Sequence, residues 1–223
     1  MTVVKGPIEA QTWSQTFEAF AIDPGGTRVH GYDVESDLAR HYRFSDVVLL
    51  ALTGELPDDA KSRAFEIVLC FLLPISIARA PAHATVLAGH CSGPPSGVLA
   101  TASATLADDV LDLIAVDTTK LEASEDPLPE ALRASSPEEA ASVERLRELL
   151  ADVLPLPLLS RGPRRELALI TALRACGVDT PLLLSSVVAM ARIPSVIAEA
   201  APRGLSEFIQ KYPLTIPTFV YEE

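Results

Sequence analysis

The chain has 223 residues, which suits one large domain or a large one with a small appendage. Hydrophobic residues make up 48% and aromatics 5%, with Ala and Leu dominant, so global disorder is excluded and helix packing is favoured over a β-sandwich. The net charge of −12 excludes nucleic acid as an expected partner, because so acidic a chain repels a phosphate backbone.

Residues 17–22 and 27–32 alternate around Asp23-Pro24-Gly25-Gly26, and this pattern predicts a small β-hairpin. Everything after it reads as helix. A short helix is expected over Val34–Tyr42. Ser45 is placed to cap a second through Leu52, with Gly54 as its left-handed stop. Asp58 is placed to cap a longer helix from Asp59 to Leu73, ended by Pro74. Two more are expected over 81–91 and 95–117. The stretch 118–134 is polar, holds two prolines and has no apolar period, so it reads as a linker or mobile loop. Ser136-Pro137-Glu138-Glu139 then opens a helix to about Val153. Ser caps it, Pro takes its first position, and Glu139 is expected to close a capping box. Residues 155–162 break that helix. Another covers 164–176 and stops at Gly177. Thr180-Pro181 opens the next, to about Ala200 with a bend at Pro194. Ser206 is expected to cap a final short helix.

Cys70, Cys91 and Cys176 are odd in number and widely spaced, so they form no evident disulfide framework or zinc site and read as buried thiols. No metal is expected. The N-terminus has no basic start followed by an apolar run. Apolar runs of about eight residues fall short of the ~20 that a bilayer span needs. No membrane partner is therefore expected, and a reducing cytoplasm is the expected setting.

Three motifs in one stretch carry chemical meaning: Gly31-Tyr32-Asp33, Phe44-Ser45-Asp46-Val47 and Leu52-Thr53-Gly54-Glu55-Leu56-Pro57. Further pieces follow in order: Pro81-Ala82-His83-Ala84, Met190-Ala191-Arg192-Ile193-Pro194, and Ile216-Pro217 to Tyr221. Together they resemble the citrate synthase/citryl-CoA lyase family. The likeness is dense from Val29 to Leu69 and sparser from there to the C-terminus. It implies a mainly α fold over 1–223 as a single domain, built as that family's helical large domain. The N-terminal β-hairpin would occupy 17–32, and the small domain would be reduced to 118–160 or absent. It also implies pairing through helices, as a homo-oligomer or as a hetero-oligomer with a family paralogue. The apolar helices over 81–117 and 181–200 suit such an interface.

The family's reaction needs a carboxylate as general base, histidines that donate hydrogen bonds to the developing enolate and to the oxo-acid carbonyl, and arginines that clamp carboxylates. Against those needs the chain is depleted. Ile75 falls about where the first histidine belongs. The place of a His-Gly-Gly motif reads Leu106-Ala107-Asp108-Asp109-Val110-Leu111, and residues 112–160 contain neither His nor Gly. The resemblance leaves Glu166, Asp108 and Asp109 as candidate catalytic carboxylates. It leaves Arg192 and His83 as candidate substrate-binding residues, with Arg192 as a carboxylate clamp. A surface or structural role for each is the plainer reading. For Arg192 that means an internal acid such as Glu166 or Glu199. Arg161, Arg164 and Arg165 form the one dense basic cluster, read as a solvated helix start or an anion site.

Two functions follow. One is a pseudoenzyme or oligomeric partner subunit that binds a small di- or tricarboxylate. The other is a repurposed enzyme that makes or cleaves a C–C bond in an acyl-CoA or polycarboxylate. No cofactor is expected, coenzyme A entering only as a thioester substrate. The absence of the three histidine motifs together favours the first.

Overall fold

The computed structural model describes residues 21–23, 26–91, 93–124 and 126–201. These residues are mainly helical, with one small antiparallel sheet. β1 (Ala21–Asp23) pairs with β2 (Gly26–Val29), and β2 pairs with β3 (Tyr32–Asp33). The register sets Ala21 opposite Arg28 and Val29 opposite Tyr32. The β2–β3 hairpin goes beyond the sequence expectation. Its turn is His30-Gly31, at φ +46° and +87°. Two left-handed residues in succession match the twist of the flanking strands, and Gly31 adopts that conformation without a steric cost. The expected hairpin arm at 17–20, the helix from Ser206 and the Ile216–Tyr221 segment lie outside the described residues.

A π-helical turn at Val34–Leu38 runs into α1 (Ala39–His41), with the Asp33 carboxylate accepting from the Glu35 and Ser36 N–H groups. In α2 (Phe44–Thr53) the cap differs from the expectation. The Asp46 carboxylate reaches back to the Arg43 backbone N–H at 3.0 Å, while the Ser45 hydroxyl turns to Glu66. The stop at Gly54 is as expected, at φ +80°. Asp58 caps α3 (Asp59–Leu72) through the Lys61 N–H at 2.7 Å.

α4 (Ala80–His90) and α5 (Pro95–Asp108) follow. The continuous helix expected over 95–117 is instead interrupted, and a short α6 (Leu111–Ile114) resumes after it. Asp108 and Asp109 stand at the break. Aspartate is a weak helix former, and its charge at a helix C-terminus opposes the macrodipole.

The expected linker at 118–134 is built structure. It holds α7 (Thr118–Ala123), capped by Asp117, and a 3-10 turn at Glu130–Leu132. The Arg161 guanidinium donates to the carbonyls of Leu121, Ser124 and Asp126. Arg133 donates to the carbonyl of Leu128, itself a buried residue. Cations on the last carbonyls of a helix satisfy acceptors that have no intrahelical partner. Polar composition here therefore reflects a segment fixed by arginines.

Ser136 caps α8 (Pro137–Leu150) through the Glu139 N–H at 3.1 Å. Glu139 does not close the expected box. Its carboxylate takes the Ser135 N–H and hydroxyl, and the Arg165 N–H that opens α9 (Arg165–Ala175). A 3-10 turn at Pro157–Arg161 and a left-handed Gly162 separate the two helices. Gly177, at φ +98°, ends α9, and α10 (Pro181–Ala200) runs through Pro194.

The described residues group into two compact units, neither a contiguous stretch of sequence. The first takes residues up to Phe71 together with Leu111–Leu184. It holds the sheet, whose Val29 packs with Leu38 and Leu50, and it holds α8 packed on α9. Residues 118–160 lie in this unit. The second takes Leu72–Val110 and the chain from Ser185. There α4 lies along α5, and α10 covers both. Ala82, Ala102, Leu106, Ala189 and Val196 form its centre, with Ile75 and Ile193 packed against it.

By length and composition α10, with a mean hydropathy of 1.7 over its best window, is apolar enough to cross a membrane, although its apolar residues do not form one unbroken run. Buried apolar residues and a buried arginine line its inner face, which is the pattern of a core helix.

Candidate functional site

The five candidate residues divide between the units. Glu166 sits in the first turn of α9, in the first unit, where a carboxylate suits the positive helix end. His83, Asp108, Asp109 and Arg192 belong to the second unit. His83 is exposed on α4. Asp108 is exposed at the end of α5.

Asp109 and Arg192 meet. Arg192 is only 2% exposed, facing inward from the apolar helix α10. Its Nη1 donates to Asp109 Oδ2 at 3.1 Å, and its Nε lies 3.4 Å from the Leu72 carbonyl oxygen. The same Oδ2 accepts from Arg79 Nη2 at 2.7 Å. Two guanidiniums thus share one carboxylate oxygen. The side chains are 3% exposed at Arg192, 14% at Asp109 and 33% at Arg79. An unpaired guanidinium at Arg192 would be costly to bury, and Asp109 supplies its counter-charge.

Three local structures bring the triad together. α5 ends at Asp108, which leaves Asp109 as its capping residue. Arg79 is the residue before the first turn of α4. Arg192 stands on the inner face of α10, one residue before Ile193 in the core cluster. Arg79 was not singled out in the sequence. Its one visible signal is position, immediately before the Ala80-Pro81 helix start.

Beside the triad is an open cavity of about 340 Å³, lined by Ala80, Pro81, Ala84, Thr105, Asp108 and Asp109. It holds two carboxylates and, in Thr105, a hydroxyl already donated to the Thr101 carbonyl. Asp109 accepts from two arginines, which makes it a poor candidate for proton abstraction. Ile75, which the resemblance led us to expect about where the first family histidine belongs, packs against the apolar cluster. Leu106, in the stretch expected to stand for the second motif, is fully buried in it. The basic residues 161, 164 and 165 do not gather into an anion site. Arg161 holds the α7 carbonyls, and Arg165 donates to the Phe71 carbonyl.

The expectation of three buried thiols holds for one. Cys70 and Cys91 are exposed and free, and Cys176 is buried. Burial pushes the Cys176 thiol up to about 12.

Neither a family profile nor any curated protein sequence matches the chain. Among solved structures, the chain is similar to citryl-CoA lyase from Hydrogenobacter thermophilus, with a TM-score of 0.65 and 16% identity. The match covers 95% of this chain and 98% of that one. The chain has a citrate-synthase-like helical fold.

Proposed function

We propose that this protein keeps the citrate-synthase-like scaffold without citrate synthase activity, and serves as a pseudoenzyme or partner subunit in an oligomer. One observation carries the reading. Arg192, the residue that the resemblance makes a carboxylate clamp, already has a carboxylate in Asp109. Apolar Ile75 and Leu106 at or near the places of two histidines point the same way. An enolate would find no imidazole donor there, and such donors supply several kcal/mol of barrier reduction.

The repurposed-enzyme reading needs a base and an anchor that remain available to substrate. Of its candidates, Asp109 and Arg192 are paired with each other. Asp108 remains as an exposed carboxylate at the end of α5, and Glu166 as one in the first turn of α9.

The test is a coupled thiol-release assay with acetyl-CoA and oxaloacetate. The expected result is no turnover above buffer. Turnover in the usual enzymatic range, about 1–1000 per second, sinks the proposal. The subunit reading is tested by light scattering and by pull-down from the native host. A monomer of 23.8 kDa with no captured partner refutes it.

A further inference from the structure

We infer that residues 205–212 form an amphipathic helix that folds back on the end of α10 and seats its apolar face in a groove bounded by α4, α5 and α10 of the same chain. This seat goes beyond the functional reading above and does not rest on it.

The groove has a volume of about 490 Å³ and lies wholly within the second unit, where α4 ends, α5 begins and α10 ends. None of the side chains lining it bears a polar atom. Val98 and Ala200 belong to one apolar cluster, and Ile197 packs against them. Leu99 stands at the groove 46% exposed. Gly89 sets its depth. A Cβ there would fall 2.3 Å from the Ala200 carbonyl oxygen, so only bare backbone lets α10 end so close to α4. A lining of this kind offers no partner to a charged or hydrogen-bonding group, and it suits apolar side chains.

The occupant follows from what comes next in the chain. Ala201 lines the groove and donates its N–H to the Ile197 carbonyl at 2.9 Å. Pro202-Arg203-Gly204 follow. Pro202 has no N–H with which to continue α10, and Gly204 admits a turn without a steric cost. A link this short is of the length that joins antiparallel helices. Leu205 is four residues from Ala201, so it stays within about 14 Å of the groove at up to ~3.6 Å per residue.

Leu205, Phe208, Ile209 and Tyr212 recur at the spacing of one helix face, with Ser206, Glu207, Gln210 and Lys211 on the others, and Pro213 bounds the run. So short a helix does not hold by itself in water, where even ~12–15 residues are marginal. Its apolar stripe needs a surface, and the groove is the apolar surface at the root of its tether. The tether also favours the same chain over a second copy. A segment on a short link acts at an effective concentration of about 1 mM, above that of another molecule in dilute solution.

The test uses the full chain with Cys70→Ser and Cys91→Ser, which leaves only the buried Cys176. Leu99→Cys is combined in turn with Phe208→Cys, Ile209→Cys, Glu207→Cys and Gln210→Cys. Disulfide closure by oxidised glutathione is followed on non-reducing gels and located by peptide mass. The better of the two apolar-face pairs closes within one chain about tenfold faster than either polar-face pair, the ratio given by ~1.4 kcal/mol of seating preference. Equal rates on the two faces overturn the inference, because a tether alone produces them. Failure to close overturns it too, as does a disulfide between two chains, which gives the groove to a second copy.

A second measurement needs no crosslink. Phe208→Ser and Ile209→Ser each lower the melting temperature by at least about 4 °C, whereas Gln210→Ser leaves it nearly unmoved. Leu99→Ser costs less in the Phe208→Ser background than alone, because the two side chains share one contact. Melts unmoved by Phe208→Ser and Ile209→Ser, or strict additivity with Leu99→Ser, overturn the seat.

Discussion

Replacing Arg192 by Met is expected to cost less stability than replacing Asp109 by Ala, although Arg192 is the more deeply buried of the two. Met fills much of the arginine stem's volume and leaves no charge behind. Asp109 then keeps Arg79 at 2.7 Å, and the Arg79 side chain is 33% exposed and hydrated. What is lost includes the charge-assisted hydrogen bond to Asp109, about 1.5–3 kcal/mol, and the longer one to the Leu72 carbonyl. Asp109→Ala has a different consequence. It leaves two guanidiniums facing each other, one of them nearly without water, and stranding one partner of a buried pair costs about 3–5 kcal/mol. For a chain of this size, 1 kcal/mol moves the melting temperature by about 2–4 °C. The expected falls are then about 3–12 °C for Arg192→Met and about 6–20 °C for Asp109→Ala. Urea unfolding followed by circular dichroism supplies the free energies, and thermal melts the temperatures. The double variant should fall short of the sum by at least about 1 kcal/mol, because the partners touch. Citrate, malate and oxaloacetate should leave the wild-type melt unmoved. Equal costs, a larger cost for Arg192→Met, or strong stabilisation by any of these acids would refute the reasoning.

Three further outcomes are expected. At Glu139, burial works to raise the carboxyl, but the hydrogen bonds from Ser135 and Arg165 outweigh it and hold the group below the ordinary glutamate value. Its contribution is thus present above the unfolded-state value and lost as pH falls through the folded-state one. Glu139→Gln should lower the urea midpoint near pH ~7 and lose that difference below ~4, the ordinary glutamate range being about 4.3; a gap that is constant with pH contradicts this. A Cβ added at Gly89 falls 2.3 Å from the Ala200 carbonyl oxygen. Gly89→Ala should therefore destabilise by about 1–3 kcal/mol despite its better helix propensity, and a raised melting temperature would disprove that close approach. Ellman's reagent should titrate Cys70 and Cys91 in the folded protein and reach Cys176 only after denaturation. Three fast thiols in native buffer would contradict the burial of Cys176.

Helix boundaries were legible wherever one residue's local chemistry sets them. Asp58, Ser136 and Thr180 accept from backbone N–H groups three residues on, and Gly54 and Gly177 turn left-handed. These signals act within one turn of chain, so sequence spacing reveals them. The misread places depend on distant partners. The stretch 118–134 looked like a linker because its partner, Arg161, lies beyond it in the chain. Glu139 looked like half of a capping box because the competing Arg165 N–H is 26 positions away. The site followed the same rule. The family resemblance marked Arg192 and Asp109 as notable, but the 83 positions between them concealed that each answers the other. Arg79 stands in no motif and was missed, since only the fold brings it to Asp109.

The division of the second unit between two separated stretches has a consequence for the protein's birth. α4 and α5 are synthesised first, with Ala82, Val86, Val98, Ala102 and Leu106 awaiting Val196 and Ile197 of α10. About ninety residues must be added before that part of α10 exists, a delay of roughly 4.5–18 s at ~5–20 residues per second. During that interval the nascent chain carries an uncovered apolar hairpin. It is then a natural client for a holding chaperone at the ribosome exit, and α10 is the segment whose emergence ends that dependence.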